Sequence, residues 1–205
     1  MTGPLPDNGF FVGRSKTTHA LYAVRARRYP VARDAIERAL ALDPLNPRTH
    51  RAAGTIAYAS RRYADAVTEY RRSLQLNPKM SIARAFMGDA LLQMGKIDEA
   101  REAYAAETAP MFRLRGLAIV EHRAGNTAAA EKAFNALVSE IGDAAMYQQA
   151  EVMAQWGRTD EALARLQRAR EIGDSGLSYV ATDPLLDPIA KDPRFLRFIK
   201  DLGFA

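Results

Sequence analysis

The chain has 205 residues, and its 29 Lys and Arg against 24 Asp and Glu give a formal net charge of +5. Hydrophobic residues make up 48% of it, which is enough for a buried core and excludes a disordered polymer. Cysteine is absent, which excludes disulfides, cysteine metal sites and thiolate chemistry. No stretch approaches the ~18 uninterrupted apolar residues that a membrane span requires.

Residues 1–13 predict an N-terminal linker or cap ahead of the first helix, because they contain Pro4, Pro6 and Gly9. The apolar run from Phe10 to Val12 is too short for the core of a signal peptide. From residue 14 onwards, abundant Ala, Leu, Arg and Glu favour helices.

A spacing of 30 to 34 residues organises the middle of the chain. Five alanines act as anchors, each with a small residue twelve positions earlier and a large apolar residue four positions later. The anchors are Ala32, Ala66, Ala100, Ala130 and Ala162; the small residues are Ala20, Gly54, Gly88, Ala118 and Ala150; the large residues are Ile36, Tyr70, Tyr104, Phe134 and Leu166. The pattern predicts pairs of helices that cross closely at the small residues, with the large side chain filling the adjoining groove.

Turn signals separate the predicted helices. Gly95, Gly125 and Gly157 stand between the two helices of a pair, where glycine supplies a helix-ending conformation. Pro44 and Pro78 follow the second helix of the first two pairs and cannot continue it. Each period is therefore predicted to be one helix–turn–helix unit.

This pattern resembles the tetratricopeptide repeat. The resemblance implies an all-α fold, a right-handed α-solenoid of about five helix pairs covering residues 14–46, 47–80, 81–110, 111–142 and 143–172. It also implies a protein-binding function, with the first helix of each pair lining a concave groove.

Residues 173–205 are predicted to form a C-terminal cap. Three Asp-Pro pairs suit helix starts, with aspartate as N-cap and proline at the first helical position; they are Asp183-Pro184, Asp187-Pro188 and Asp192-Pro193. The apolar residues Phe195, Leu196, Phe198, Ile199 and Leu202 are expected to close the open end of the stack. This ending resembles the repeat region of bacterial multidomain signalling proteins, namely winged-helix ToxR-type transcriptional regulators and nucleotide cyclases. That resemblance implies an alternative function, a C-terminal regulatory domain acting through intramolecular docking or dimerisation.

The histidines and acidic pairs that could suggest a metal site or catalysis are explained by the predicted helices. The three histidines, His19, His50 and His122, have no partners at metal-ligand spacing, so no metal is expected. The acidic pairs at 98–99 and 160–161 come where second helices start, where negative charge favours the helix dipole. The sequence therefore predicts neither an enzyme nor a cofactor.

We expect a peptide or protein partner, with acidic groups on the partner as one option, in a basic and aromatic groove. The predicted groove residues are Arg25, Arg51, Thr55, Tyr58, Phe86, Asp89, Arg115, His122, Arg123, Tyr147, Gln148 and Glu151. Recurrent arginine pairs lie near acidic residues, so no nucleic-acid contact is expected through this domain. A cytoplasmic location is the default expectation, and a periplasmic one holds if the repeats belong to a membrane-anchored regulator.

Overall fold

The computed structural model describes residues 9–25 and 27–204, with side chains from residue 16 onwards. Within these residues the chain is helical, without strands. The helices are α1 Gly9–Arg25, α2 Tyr29–Leu42, α3 Pro47–Ala59, α4 Tyr63–Leu76, α5 Ala83–Gln93, α6 Ile97–Ala105, α7 Pro110–Arg123, α8 Thr127–Ile141, α9 Met146–Gln155, α10 Thr159–Ile172 and α11 Pro193–Asp201. Three short 3₁₀ helices join them, Gly142–Ala145, Ser175–Tyr179 and Pro184–Ile189. The predicted linker or cap at 1–13 lies partly outside the described residues, and from Gly9 the chain is already part of α1.

Ten of the helices form five consecutive pairs, α1 with α2 through α9 with α10. The first helices also contact one another in order, α1 with α3, α3 with α5, α5 with α7 and α7 with α9. Their shared face, which we call the concave surface, is the side that such a solenoid offers to a ligand. None of the described helices is long and apolar enough to cross a membrane.

The pairs cross where the sequence predicts a close approach. All five anchor alanines are buried, and the large residues that follow them are buried too. A Cβ added to Gly54 would lie 2.6 Å from the Tyr70 ring, and one added to Gly88 would lie 2.7 Å from the Tyr104 ring. The Tyr104 ring also lies against Gly116 of the next pair, where an added Cβ would come within 2.1 Å. The aromatic rings therefore occupy space that a side chain at these glycines would need.

The turns inside the pairs all use left-handed backbone, but two of them do so without glycine. Gly95, Gly125 and Gly157 have φ of +75°, +80° and +73°, which confirms the predicted helix-ending role. In the first two pairs the corresponding residues are Arg27 and Arg61, with φ of +56° and +62°. An L-residue in this conformation costs ~1 kcal/mol or more relative to glycine, so these arginines carry backbone strain.

The end of the chain divides into two parts. Helix α11 places Phe195, Phe198 and Ile199 in the main core cluster, whereas Leu196, which was predicted to join them, remains 49% exposed. Residues 174–190 place Leu177, Leu185 and Ile189 in the same cluster and also run back across the concave surface. We call them the return segment.

Candidate binding surface on the concave face

The return segment reaches the first two helix pairs. Arg25 Nη2 at the end of α1 donates to Tyr179 Oη at 2.8 Å, and its guanidinium lies 4.5 Å from the centre of that ring. Arg27 Nη2 donates to the Ala181 carbonyl oxygen at 2.8 Å. Arg61 Nη2 forms an ion pair with Asp187 Oδ1 at 2.7 Å. The two arginines with left-handed backbone thus both bind the return segment.

The fifth pair holds the other side of the same segment. Tyr147 Oη donates to Asp183 Oδ2 at 2.8 Å, and Gln155 Nε2 donates to the Leu185 carbonyl oxygen at 2.6 Å. Gly176 passes so close to the Tyr147 ring that an added Cβ would lie 2.6 Å from it. The segment starts with Asp174, whose carboxylate accepts the backbone N–H groups of Gly176 and Tyr147. Helix α9 is therefore the main support of the return segment.

A cavity of about 340 Å³ remains between the concave surface and the return segment. Its wall on the repeat side includes Tyr58, Phe86 and Gln148, and its wall on the return side includes Tyr179 and Asp183. The Phe86 and Phe112 rings meet edge to face with centroids 5.8 Å apart. The volume lies within the range of small-ligand pockets, which is ~300–1,000 Å³.

A buried charge network lies against the cavity. Arg115 is 1% exposed, and its Nη1 lies 3.0 Å from Asp89 Oδ1. Its Nε lies 3.6 Å from Glu151 Oε2, which is an ion-pair distance without a hydrogen bond. Tyr104 Oη donates to Asp89 Oδ1 at 2.7 Å. Asp89 therefore accepts hydrogen bonds from both Tyr104 and Arg115, whereas Glu151 lies at ion-pair distance from Arg115 and beside the Asp183 carboxyl group.

Burial changes how these carboxyl groups titrate. It raises the pKa of Glu151 well above its ordinary value; Arg115 opposes this effect, and the nearby Asp183 carboxylate reinforces it. Burial also raises the pKa of Asp89, against the combined effect of Arg115 and the Tyr104 hydroxyl. Burial of the network therefore favours the protonated forms of Glu151 and Asp89.

The structure brings seven of the twelve predicted groove residues to the cavity. They are Thr55, Tyr58, Phe86, Asp89, Tyr147, Gln148 and Glu151. Arg25 is occupied by Tyr179, and Arg51 lies in a second depression between α1 and α3. His122 stacks on Trp156 with centroids 5.3 Å apart, and Arg123 donates to Gln155 at 2.7 Å, both at the exposed end of α7.

One expectation about this surface needs correction. Arg115 was expected to meet a partner's carboxylate, but it is buried and already paired with Asp89 and Glu151. Residues 173–205 were predicted to form a C-terminal cap; within them, residues 174–190 also contact the first two pairs through Arg25, Arg27 and Arg61. Two of the three Asp-Pro pairs begin helices, at Asp183 and Asp192, whose carboxylates accept the N–H groups of Leu185 and Arg194. The third pair does not, because Pro188 lies inside the 3₁₀ helix Pro184–Ile189.

Sequence reasoning missed the cavity residues outside the first-helix pattern. Phe112 lies near the start of α7, and Asp174, Tyr179 and Asp183 lie on the return segment. The Asp-Pro pairs marked the segment as ordered, but they gave no indication of where it folds.

The repeat signature is also found by comparison with known families. A family model described as tetratricopeptide repeat matches residues 17–81 and 86–148, and a second model of that description matches residues 57–109. The chain belongs to the tetratricopeptide-repeat family. Members of this family serve as protein-interaction modules, and the chain is such a module by its fold. No curated protein matches this tetratricopeptide-repeat chain significantly.

Solved structures with a similar course of the chain extend the comparison. PilF of Pseudomonas aeruginosa has a TM-score of 0.62 at 14% identity, covering 95% of this chain and 100% of its own. PilW, described as a widely conserved type IV pilus biogenesis factor, has a TM-score of 0.61 at 16% identity, covering 94% of this chain and 92% of its own. At such identities the likeness concerns the tetratricopeptide-repeat fold.

Proposed function

We propose that this chain is a non-catalytic module that binds an extended peptide of a partner protein on its concave surface. The observation that carries the proposal is the return segment itself. The concave surface already holds an irregular stretch of peptide through side-chain bonds to its main chain, from Arg27 to Ala181 and from Gln155 to Leu185. A surface that binds one such segment has the donors and the shape for another.

The room for a partner lies beside the first two pairs. A depression of about 1080 Å³ between α1 and α3 has Tyr22 and Leu45 in its wall, which are 65% and 64% exposed. Arg51 lies in the same wall, and its Nε is buried without a hydrogen-bond partner. Apolar side chains beside an arginine donor favour a peptide that presents an acidic side chain or a terminal carboxylate.

The test is affinity capture from the source organism with the purified chain, compared with two charge-reversal variants. Arg51→Glu changes the depression, and Arg72→Glu makes the same change on the exposed face of α4 as a matched control. We expect a partner that is retained by the control and lost with Arg51→Glu, with cross-links that map to α1 and α3. Capture that is the same for both variants would refute this location of the binding surface.

The alternative function, a regulatory domain of a bacterial transcriptional regulator or cyclase, rests on the Asp-Pro ending and stays a prediction. That alternative would act through intramolecular docking or dimerisation, whereas in the described residues the return segment docks within the chain itself. The docking partner is the chain's own repeat stack, so it supports self-occupancy of the groove without pointing to either kind of effector domain.

A further inference from the structure

The cavity beneath the return segment has an aromatic wall. Six aromatic residues line it, which are Tyr58, Tyr70, Phe86, Phe112, Tyr147 and Tyr179. Aromatic faces attract cations through their ring quadrupoles, most strongly where water is excluded. The chain already uses two of these rings in this way, since the Arg25 guanidinium lies over Tyr179 and the Arg115 guanidinium over Phe112.

The charged part of the same wall is acidic. Among the described residues that line the cavity, four carry a carboxyl group, namely Asp89, Glu151, Asp174 and Asp183, and none is Lys, Arg or His. Arg115 lies behind the wall and offsets part of this charge through its contacts with Asp89 and Glu151. Within the part of the chain that the structure describes, Asp174 and Asp183 accept hydrogen bonds from backbone N–H groups and the Tyr147 hydroxyl but form no ion pair, so their charge gives the cavity a preference for positive charge.

Three polar atoms at this site are buried without a hydrogen-bond partner. They are the Tyr58 hydroxyl, Gln148 Oε1 and Glu151 Oε2, and their residues are 9%, 7% and 6% exposed. All three residues line the cavity. Buried polar atoms are normally hydrogen-bonded, so an unpartnered acceptor such as Gln148 Oε1 beside a cavity indicates a ligand that donates a hydrogen bond.

An organic cation fits this cavity better than a metal ion does. Among the described residues, no group of three or more His, Asp or Glu side chains has the arrangement of a metal site. A metal ion also has no use for the aromatic wall, whereas the alkyl part of an amine or guanidine fits against it.

We propose that this cavity binds a small organic cation, an alkylammonium or alkylguanidinium group, between the aromatic wall and the carboxylate of Asp183. The group has two possible sources, a free small molecule or a Lys or Arg side chain of a bound peptide. The peptide source rests on the proposed function, and the small-molecule source does not.

The first experiment titrates the full chain with small molecules that share a four-carbon alkyl group and differ in charge. n-Butylammonium and n-butylguanidinium are titrated against 1-butanol and butyrate, with the thermal midpoint and backbone amide NMR shifts as readouts. The cations should raise the midpoint with concentration and shift the amides of α9 and the return segment, whereas butanol and butyrate should do neither. Water as the sole occupant predicts no response to any probe, and that result, like equal responses to all four, would overturn the proposal.

A pair of variants locates the bound charge. Asp183→Asn keeps an acceptor for the Leu185 amide but removes one negative charge from the wall, and Glu140→Gln removes one from the exposed face of α8. We expect the first to weaken cation binding about tenfold and the second to leave it unchanged. Equal affinities for wild type and Asp183→Asn, with the return segment intact by NMR, would contradict the assigned position.

A third experiment separates the two sources. A capped tripeptide with a central lysine is compared with the same peptide containing norleucine. Binding of the lysine peptide at least as tightly as n-butylammonium assigns the site to a partner's side chain, and binding of n-butylammonium without the peptide assigns it to a free small molecule. The Arg51→Glu variant lies outside the cavity and should bind both probes normally, so failure of the proposed function leaves this test interpretable.

Discussion

Two tyrosines at the charge network differ in a way that allows a matched test of its energetics. Tyr104 donates its hydroxyl to Asp89 at 2.7 Å, whereas the Tyr58 hydroxyl is buried without a partner. Tyr104→Phe and Tyr58→Phe remove the same atom and keep the same ring. Any difference between them therefore reports the hydrogen bond.

The magnitudes follow from what each hydroxyl does. Loss of a hydrogen bond to a buried carboxylate costs ~1.5–3 kcal/mol, so Tyr104→Phe should lower the free energy of unfolding by that amount. Tyr58→Phe breaks no bond and removes a buried polar atom, so it should be neutral or stabilising by up to ~1 kcal/mol.

Urea unfolding followed by circular dichroism measures both variants. With a slope of ~2 kcal/mol per molar urea, the two midpoints should differ by ~1 M, with Tyr58→Phe the higher. Equal losses for the two variants would mean that the Tyr58 hydroxyl has a partner as good as Asp89. That result would refute both the reading of this hydroxyl as unsatisfied and one argument for a ligand in the cavity.

Three further predictions concern packing, titration and strain. Gly116→Ala should destabilise the chain by ~1–3 kcal/mol or more, because its methyl group would overlap the Tyr104 ring. Gly125→Ala, in an open turn, should cost only the ~1 kcal/mol of a left-handed backbone. Equal losses for the two variants in thermal or urea unfolding would contradict the predicted overlap. Burial raises the pKa of Glu151, so the native state holds this proton more tightly than the unfolded chain does, and the free energy of unfolding should fall as the pH rises from ~4.3 towards neutrality. Glu151→Gln should reduce this dependence, measured as the difference between the urea midpoints at pH 5 and pH 8. An unchanged difference would mean that Glu151 is ionised at both pH values. Arg61→Gly should be more stable than Arg61→Ala by ~1 kcal/mol because φ is positive, and the order should reverse at Arg72 inside α4; the same order at both positions would contradict the strain at Arg61.

The repeat architecture was predictable because every helix pair solves the same packing problem. Ala66 and Tyr70 occupy in one pair the positions that Ala100 and Tyr104 occupy in the next, so one spacing describes them all. Helix periodicity also identified the face of each first helix, which is why most predicted groove residues reach the cavity. Periodicity does not show how deeply a residue lies on that face, and for this reason Arg115 was expected at the surface.

The return segment could not be predicted, since its contacts depend on distance in space and not on local pattern. Arg25 and Tyr179 are 154 residues apart in the chain, and Arg61 and Asp187 are 126 apart. Its short 3₁₀ helices have no periodic apolar face that would indicate a docking site. The segment nevertheless adds Asp174 and Asp183 to the carboxyl groups that the first helices supply at Asp89 and Glu151, so the part of the groove that it covers is lined by acidic side chains.

The two strained turns connect the repeat pattern to the return segment. In the last three pairs glycine occupies the left-handed turn position without strain, and in the first two pairs arginine occupies it with φ of +56° and +62°. Glycine there would lower the cost of the turn but would bind nothing. Arg27 and Arg61 instead bind Ala181 and Asp187, so the positions that depart from the repeat are those that hold the end of the chain across its concave surface. The use of arginine in place of glycine at these two turns is thus explained by contacts with a segment that is distant in the sequence.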